Sequence, residues 1–395
     1  MDVTYKLLSS LVNRKIGYGI VQPGDSVPNG VPVIKVFNVI TGLKSIDSLD
    51  TTKKENAEKY SRTKLNGGEL VVSVVGTVGK TAIVPIEFTG CNLVRATALI
   101  DIPDIITTLW VKYYIDSPRG QYYINTNLNT TVQPTLNIKS LEAMPIPFFD
   151  NGYIKRAVSI LSSIDEKIKL NTEINENLEQ QAQAIFKSWF IDFEPFGGVV
   201  PDDWNTGNLL DIADYLNGLA MQKFRPKDDE IGLPVLKIKE LRQGICDSNS
   251  ELCSPNINPE YIIHDGDVIF SWSGSLLVDF WCGGICGLNQ HLFKVSSDKY
   301  DKWFFYSWTN HHLNRFIAIA ADMATTMGHI KREELAKSII IIPNQSDYNE
   351  ISTQLRPIYD LIIANRIENQ RLAALRDALL PKLMNGEIDV SAVKI

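Results

Sequence analysis

Two stretches of the chain carry apolar positions spaced alternately three and four residues apart. In the first, Leu161, Ile164, Ile168, Asn171, Asn175, Leu178, Ala182, Ile185 and Trp189 fall on one stripe. Adding 194 to each number gives Leu355, Ile358, Ile362, Asn365, Asn369, Leu372, Arg376, Leu379 and Leu383. This spacing keeps the side chains on one face of a helix and forms the seam of a coiled coil. Residues 154 to 190 predict a rod of roughly 55 Å at the usual helical rise. In the second copy Pro357 and Pro381 predict a regular helix confined to about 358–380, because proline lacks the amide hydrogen and its ring crowds the preceding turn. Both asparagines recur, and a polar residue in an apolar seam weakens packing but fixes register. An antiparallel pairing sets Asn171 against Asn369, Asn175 against Asn365 and Ile168 against Leu372. A parallel pairing also matches like with like, and each helix can instead pack on its own domain, so the stripe by itself leaves the orientation open.

A second set of marks repeats ahead of each helix. Gly68-Glu69-Leu70-Val71-Val72-Ser73 leads to Gly76, and Gly266-Asp267-Val268-Ile269-Phe270-Ser271 leads to Gly274. Each reads as a turn, a β-branched strand and a glycine turn. Thr130 to Pro134 with Ile138-Lys139 answers Thr325 to Gly328 with Ile330-Lys331, and a short helix and an apolar strand follow, Met144 to Phe149 in one copy and Ser338 to Pro343 in the other. The expected order is a domain over 1–150, a helical spacer over 151–196, a domain over 197–345 and a helical region over 346–395.

The 395 residues suit more than one domain, and hydrophobic and charged fractions of 44% and 22% are those of an ordinary globular chain. No apolar run approaches the roughly 20 residues of a membrane helix, and the amino terminus has no signal pattern, so a cytoplasmic protein with no membrane partner is expected. Five cysteines, Cys91, Cys246, Cys253, Cys282 and Cys286, suggest reduced thiols. Four lie between 246 and 286, but their spacings match a zinc site poorly, and buried, inert thiols with no metal are the better reading. The net charge of −7 is unusual for a nucleic-acid binder. Residues 1–150 carry 15 basic and 13 acidic side chains, whereas 200–345 carry 13 and 19, so only the first half is even mildly basic.

Candidate chemistry is sparse. Gly76-Thr77-Val78-Gly79-Lys80-Thr81 follows a strand and ends Gly-Lys-Thr, but a phosphate loop needs four residues between its glycines and here there are two. The counterpart Ser271-Trp272-Ser273-Gly274-Ser275 has no lysine, which implies a shared turn rather than a phosphate site. Methyltransferase, helicase and nuclease signatures are missing, so no catalytic residue is assigned and the chain is expected not to be an enzyme. His264, His291, His311, His312 and His329 lack the spacing of a metal cage or a triad. Asn289, Gln290 and His291 form a polar cluster between apolar strands, either a turn or a base-reading loop, since Asn and Gln can pair bidentately with adenine.

Together the two-domain repeat, the turn at 76–80, the run Gln180 to Phe193 and the ending Leu380-Pro381-Lys382-Leu383-Met384-Asn385-Gly386-Glu387-Ile388 resemble the specificity subunits of type I restriction-modification systems. That resemblance covers nearly the whole chain. It implies a mixed α/β fold, with two target-recognition domains separated by two long helices in an antiparallel coiled coil. It also implies a non-catalytic subunit that binds a split sequence in double-stranded DNA and recruits two methylation subunits and, through them, restriction subunits. This chain would hold no cofactor, S-adenosylmethionine belonging to the methylation subunit and ATP and magnesium to the restriction subunit. Methylation subunits that enclose the DNA would relieve the charge difficulty. For base contact the favoured loop residues are Lys35, Lys80, Asn92, Arg95, Gln133, Thr135 and Asn137 in the first copy. In the second they are Lys237, Ser273, Asn289, Gln290, His291, Thr326 and His329. The competing reading is a two-domain coiled-coil scaffold for proteins alone.

Overall fold

In a computed structural model the chain is described over residues 3–129, 132–322 and 329–393. It divides into two compact units, Met1–Asp165 with Ala373–Ile395, and Glu166–Leu372. Each therefore takes part of both long helices.

In the first unit the strands Gly17–Tyr18, Thr97–Ile100, Leu70–Ser73 and Thr81–Ile83 form an antiparallel sheet in that order. Leu70 to Ser73 is buried throughout, and successive side chains point to opposite faces. Leu70 and Val72 enter a core with Trp110, Tyr114 and Leu161. Val71 enters another with Ile34, Phe88 and Leu93, beneath a three-stranded sheet of Asp50–Thr52, Val31–Ile34 and Asn92–Leu93. A strand covered on both faces reads as an unbroken apolar run, which is why this segment was legible in the sequence.

The second unit repeats this plan. Asp214–Asn217, Leu292–Ser296, Val268–Ser271 and Leu277–Phe280 form its antiparallel sheet, and Leu252–Cys253, Leu233–Leu236, Cys286–Leu288 and Ile262–Ile263 its smaller one. Val268 and Phe270 face a core with Phe186, Trp303 and Leu355, and Ile269 faces the other side with Leu236 and Trp281. The apolar strands foreseen after each short helix are Pro145–Phe148, paired with Thr4–Leu7, and Ile339–Ile342, paired with Asn205–Asn208.

The first long helix is Asn151–Phe190 and the second is Gln345–Met384. The second corrects the expected confinement to about 358–380, because it runs through both Pro357 and Pro381. Pro357 is exposed, so the carbonyl its missing amide leaves free can turn to water, while Leu355 and Tyr359 on either side are buried and hold the helical path. The helices run antiparallel. Within the second unit Asn171 Nδ2 donates to Asn369 Oδ1 at 2.9 Å, and Asn365 Nδ2 to Asn175 Oδ1 at 2.9 Å, the two pairs foreseen. Within the first, Arg376 is ion-paired with Asp165 at 3.0 Å and Tyr153 donates to the Leu383 carbonyl at 2.9 Å. Cys91, Cys253, Cys282 and Cys286 are buried and Cys246 half-buried. Among the described residues no helix is long and apolar enough to cross a membrane.

Candidate nucleic-acid interface

In each unit the strand ends converge on one edge. In the first, Val31–Ile34 runs parallel to Asn92–Leu93, with Ile34 opposite Leu93, so the two strands deliver Lys35 and Val94-Arg95 side by side. Hydrogen bonds continue this order past the strands: the Val94 amide to the Ile34 carbonyl at 3.0 Å, Arg95 to Ile20 at 2.8 Å and Val74 to Ala96 at 2.8 Å. On the other side of Val74, the Leu136 amide donates to its carbonyl at 2.9 Å, and Gly76 donates to Pro134 at 2.9 Å. The glycine turn thus lies between Arg95 and the segment Gln133 to Asn137. Gly76 sits at φ +77°, in the left-handed region that favours glycine.

Arg95, Gln133 and Asn137 are exposed on or beside this edge, Thr135 is half-buried in a bridge to Val75, and Lys80, also exposed, lines a cleft with Lys112, Asp116 and Arg376. Lys35 caps a short helix and its Nζ is ion-paired with Asp50. Asn92 requires a correction. It is 2% exposed, its Oδ1 accepts from Thr63 Oγ1 and from the Leu93 amide, both at 2.8 Å, and its Nδ2 donates to the Tyr60 carbonyl at 3.2 Å. A buried amide must be satisfied internally, and this one fastens the strand rather than facing a ligand.

The second unit builds the same edge. Leu233–Leu236 runs parallel to Cys286–Leu288, so Lys237 and Asn289 leave together, and the Asn289 amide donates to the Leu236 carbonyl at 3.2 Å. A bridge joins Leu219 to Asn289 as one joins Ile20 to Val94, and another joins Ser273 to His329 as one joins Val75 to Thr135. Lys237 is ion-paired with Glu251, as Lys35 is with Asp50, and holds that carboxyl below the usual carboxylate range through a hydrogen bond and its charge.

Gln290 and His291 are half-buried and His329 is exposed. Asn289 and Ser273, at 4% exposure each, work inside the loop instead of facing outward, which corrects their assignment to base contact. Asn289 donates to Gln290 Oε1 at 2.9 Å and accepts from the His291 amide at 3.3 Å, and Ser273 Oγ lies 3.1 Å from His291 Nδ1. Thr326 lies outside the described residues. The sequence reading passed over Trp272, whose half-buried indole stands on this edge between His291 and His329. Its signal was present: the first copy has Val74 at the corresponding place.

Residues 7–180 and 201–376 each match the family model described as the type I restriction modification DNA specificity domain. The matches begin 194 residues apart, the period of the helical repeat. The chain is similar to the specificity subunit of the type I restriction enzyme MjaIX from Methanocaldococcus jannaschii, 25% identical over 308 residues, covering 73% of this chain and 70% of that one. It is 25% identical over 401 residues to the EcoKI specificity subunit from Escherichia coli, covering 91% and 82%. A solved type I restriction-modification S subunit from M. genitalium shares the fold, with a TM-score of 0.60 at 12% identity over 97% of this chain and 96% of that one.

Proposed function

The chain belongs to the type I restriction-modification DNA specificity family, and from that premise we propose that it reads a bipartite sequence in double-stranded DNA, one element per unit, through the two equivalent edges. One observation carries this reading: the same constellation of strand exits, bridges and ion-paired lysine is built twice from sequences that share few of the exposed residues on it. A duplicated frame with different side chains is what reading two different short sequences requires, since base edges are distinguished by donor and acceptor pattern. The chain supplies no catalytic group. It recruits two methylation subunits that carry S-adenosylmethionine, and through them restriction subunits that use ATP and magnesium, inside the cell. Partners that enclose the duplex supply the phosphate contacts that a chain of net charge −7 lacks.

The test is a binding titration of the chain assembled with its methylation subunit, on target and unrelated duplexes, at several salt concentrations. Preference for the target, with log affinity falling linearly as log salt rises, is expected. Arg95→Ala should weaken target binding by about tenfold or more, the worth of one bidentate base contact, and relax specificity in one half only. An assembly with no preference for any duplex sequence would favour the protein scaffold.

A further inference from the structure

The two edges differ where the chain leaves the central strand of each unit. In the first unit Leu70–Ser73 passes to Val74, which is fully buried. In the second, Val268–Ser271 passes to Trp272, which keeps part of its surface exposed. The indole Nε1 donates to Asn217 Oδ1 at 3.0 Å, on the edge strand Asp214–Asn217. Its ring centre lies 5.8 Å from that of Phe293, 6.1 Å from His329 and 6.2 Å from His291. The ring is thus held by its neighbours, and its single polar hydrogen is already used. What it presents beyond the loop is an apolar π surface.

We propose that Trp272 is a specificity-determining residue of the second unit and reads the C5-methyl group of a thymine in the major groove. The proposal rests on the DNA-reading function above. Along the major groove every base pair offers donors and acceptors, and the one apolar group on a base edge is the thymine methyl. A side chain with no hydrogen bond left to give gains nothing from the polar edges and gains burial from the methyl. Because the indole is fastened before DNA arrives, little side-chain freedom is lost on contact. His291 stands beside the indole, and Gln290 lies next to His291 in the same loop, so an apolar ring and polar side chains share one loop edge.

The experiment uses the full-length chain assembled with its methylation subunit and target duplexes in which each thymine is replaced in turn by deoxyuridine, which lacks only the methyl. At one position of the half-site assigned to the second unit, deoxyuridine should weaken binding about fourfold, the worth of one buried methyl group. Trp272→Ala should bind the thymine and deoxyuridine duplexes equally while keeping its discrimination in the other half. Asn217→Ala, which leaves the indole in place but unfastened, should reduce the ratio at that position alone and serves if the larger truncation does not fold. Deoxyuridine without effect at every position of that half, or an unchanged ratio in both variants, would overturn the role of Trp272. Loss of all preference for the target in the unaltered assembly would instead overturn the DNA-reading function itself.

Discussion

An amide buried in an apolar seam must find a partner, and the four seam asparagines find each other. Asn171 is 1% exposed and donates to Asn369 Oδ1 and, at 2.7 Å, to Glu368 Oε2; Asn175 is 5% exposed and donates to the Ile362 carbonyl at 3.0 Å. Asn171→Leu leaves Asn369 Oδ1 without this donor and should cost about 1 to 3 kcal/mol, read as a lower denaturant midpoint. Asn171→Leu combined with Asn369→Leu should cost less than the sum of the single changes, since two leucines restore an apolar contact. Strict additivity would contradict the pairing. These residues were legible in the sequence because period and polarity together demand a partner. The base-contact candidates were less so. Asn92, Ser273 and Asn289 have the side chains that read bases and the same side chains that satisfy a turn, and only burial tells the two uses apart. Trp272 was missed because an aromatic residue beside a strand ordinarily belongs to the core.

At the scale of elements the second long helix is the instructive case. Proline in a helix interior costs about 3 kcal/mol relative to alanine, and that local preference set the expected boundaries near 358 and 380. Burial of Leu355, Tyr359, Ile362, Leu380 and Leu383 overrides it. Pro357→Ala should therefore stabilise the chain, by up to about 3 kcal/mol, and raise the thermal midpoint; an unchanged or lower midpoint would mean that the proline contributes packing that its exposure does not suggest. The central strands were legible because both faces are covered. The helix Ile105–Asp116 was not: Trp110, Val111, Tyr113, Tyr114 and Ile115 are all buried, so no polar face marks its period. The small sheets escaped as well, because strands of two to four residues carry too few alternations to register.

For the whole molecule the repeat is the organising fact, and it was readable because a period of 194 residues recurs along the helical stripe and one of 198 in the glycine turns. What the repeat could not convey is that each compact unit draws on both long helices. That matters for dividing the chain. Phe149 packs so closely on Gly386 that a Cβ there would come within 2.7 Å of its ring, so an exchange ending at residue 150 must keep Gly386 and a side chain at 149 that fits against it. With that precaution the central claim, two independent readers in one chain, has a direct measurement: replace residues 1–150 with the corresponding domain of a relative and map methylated adenines across a genome. One half of the methylated motif should change and the other should stay as it was. A motif altered in both halves together, or a continuous motif with no unread bases between its elements, would contradict the account.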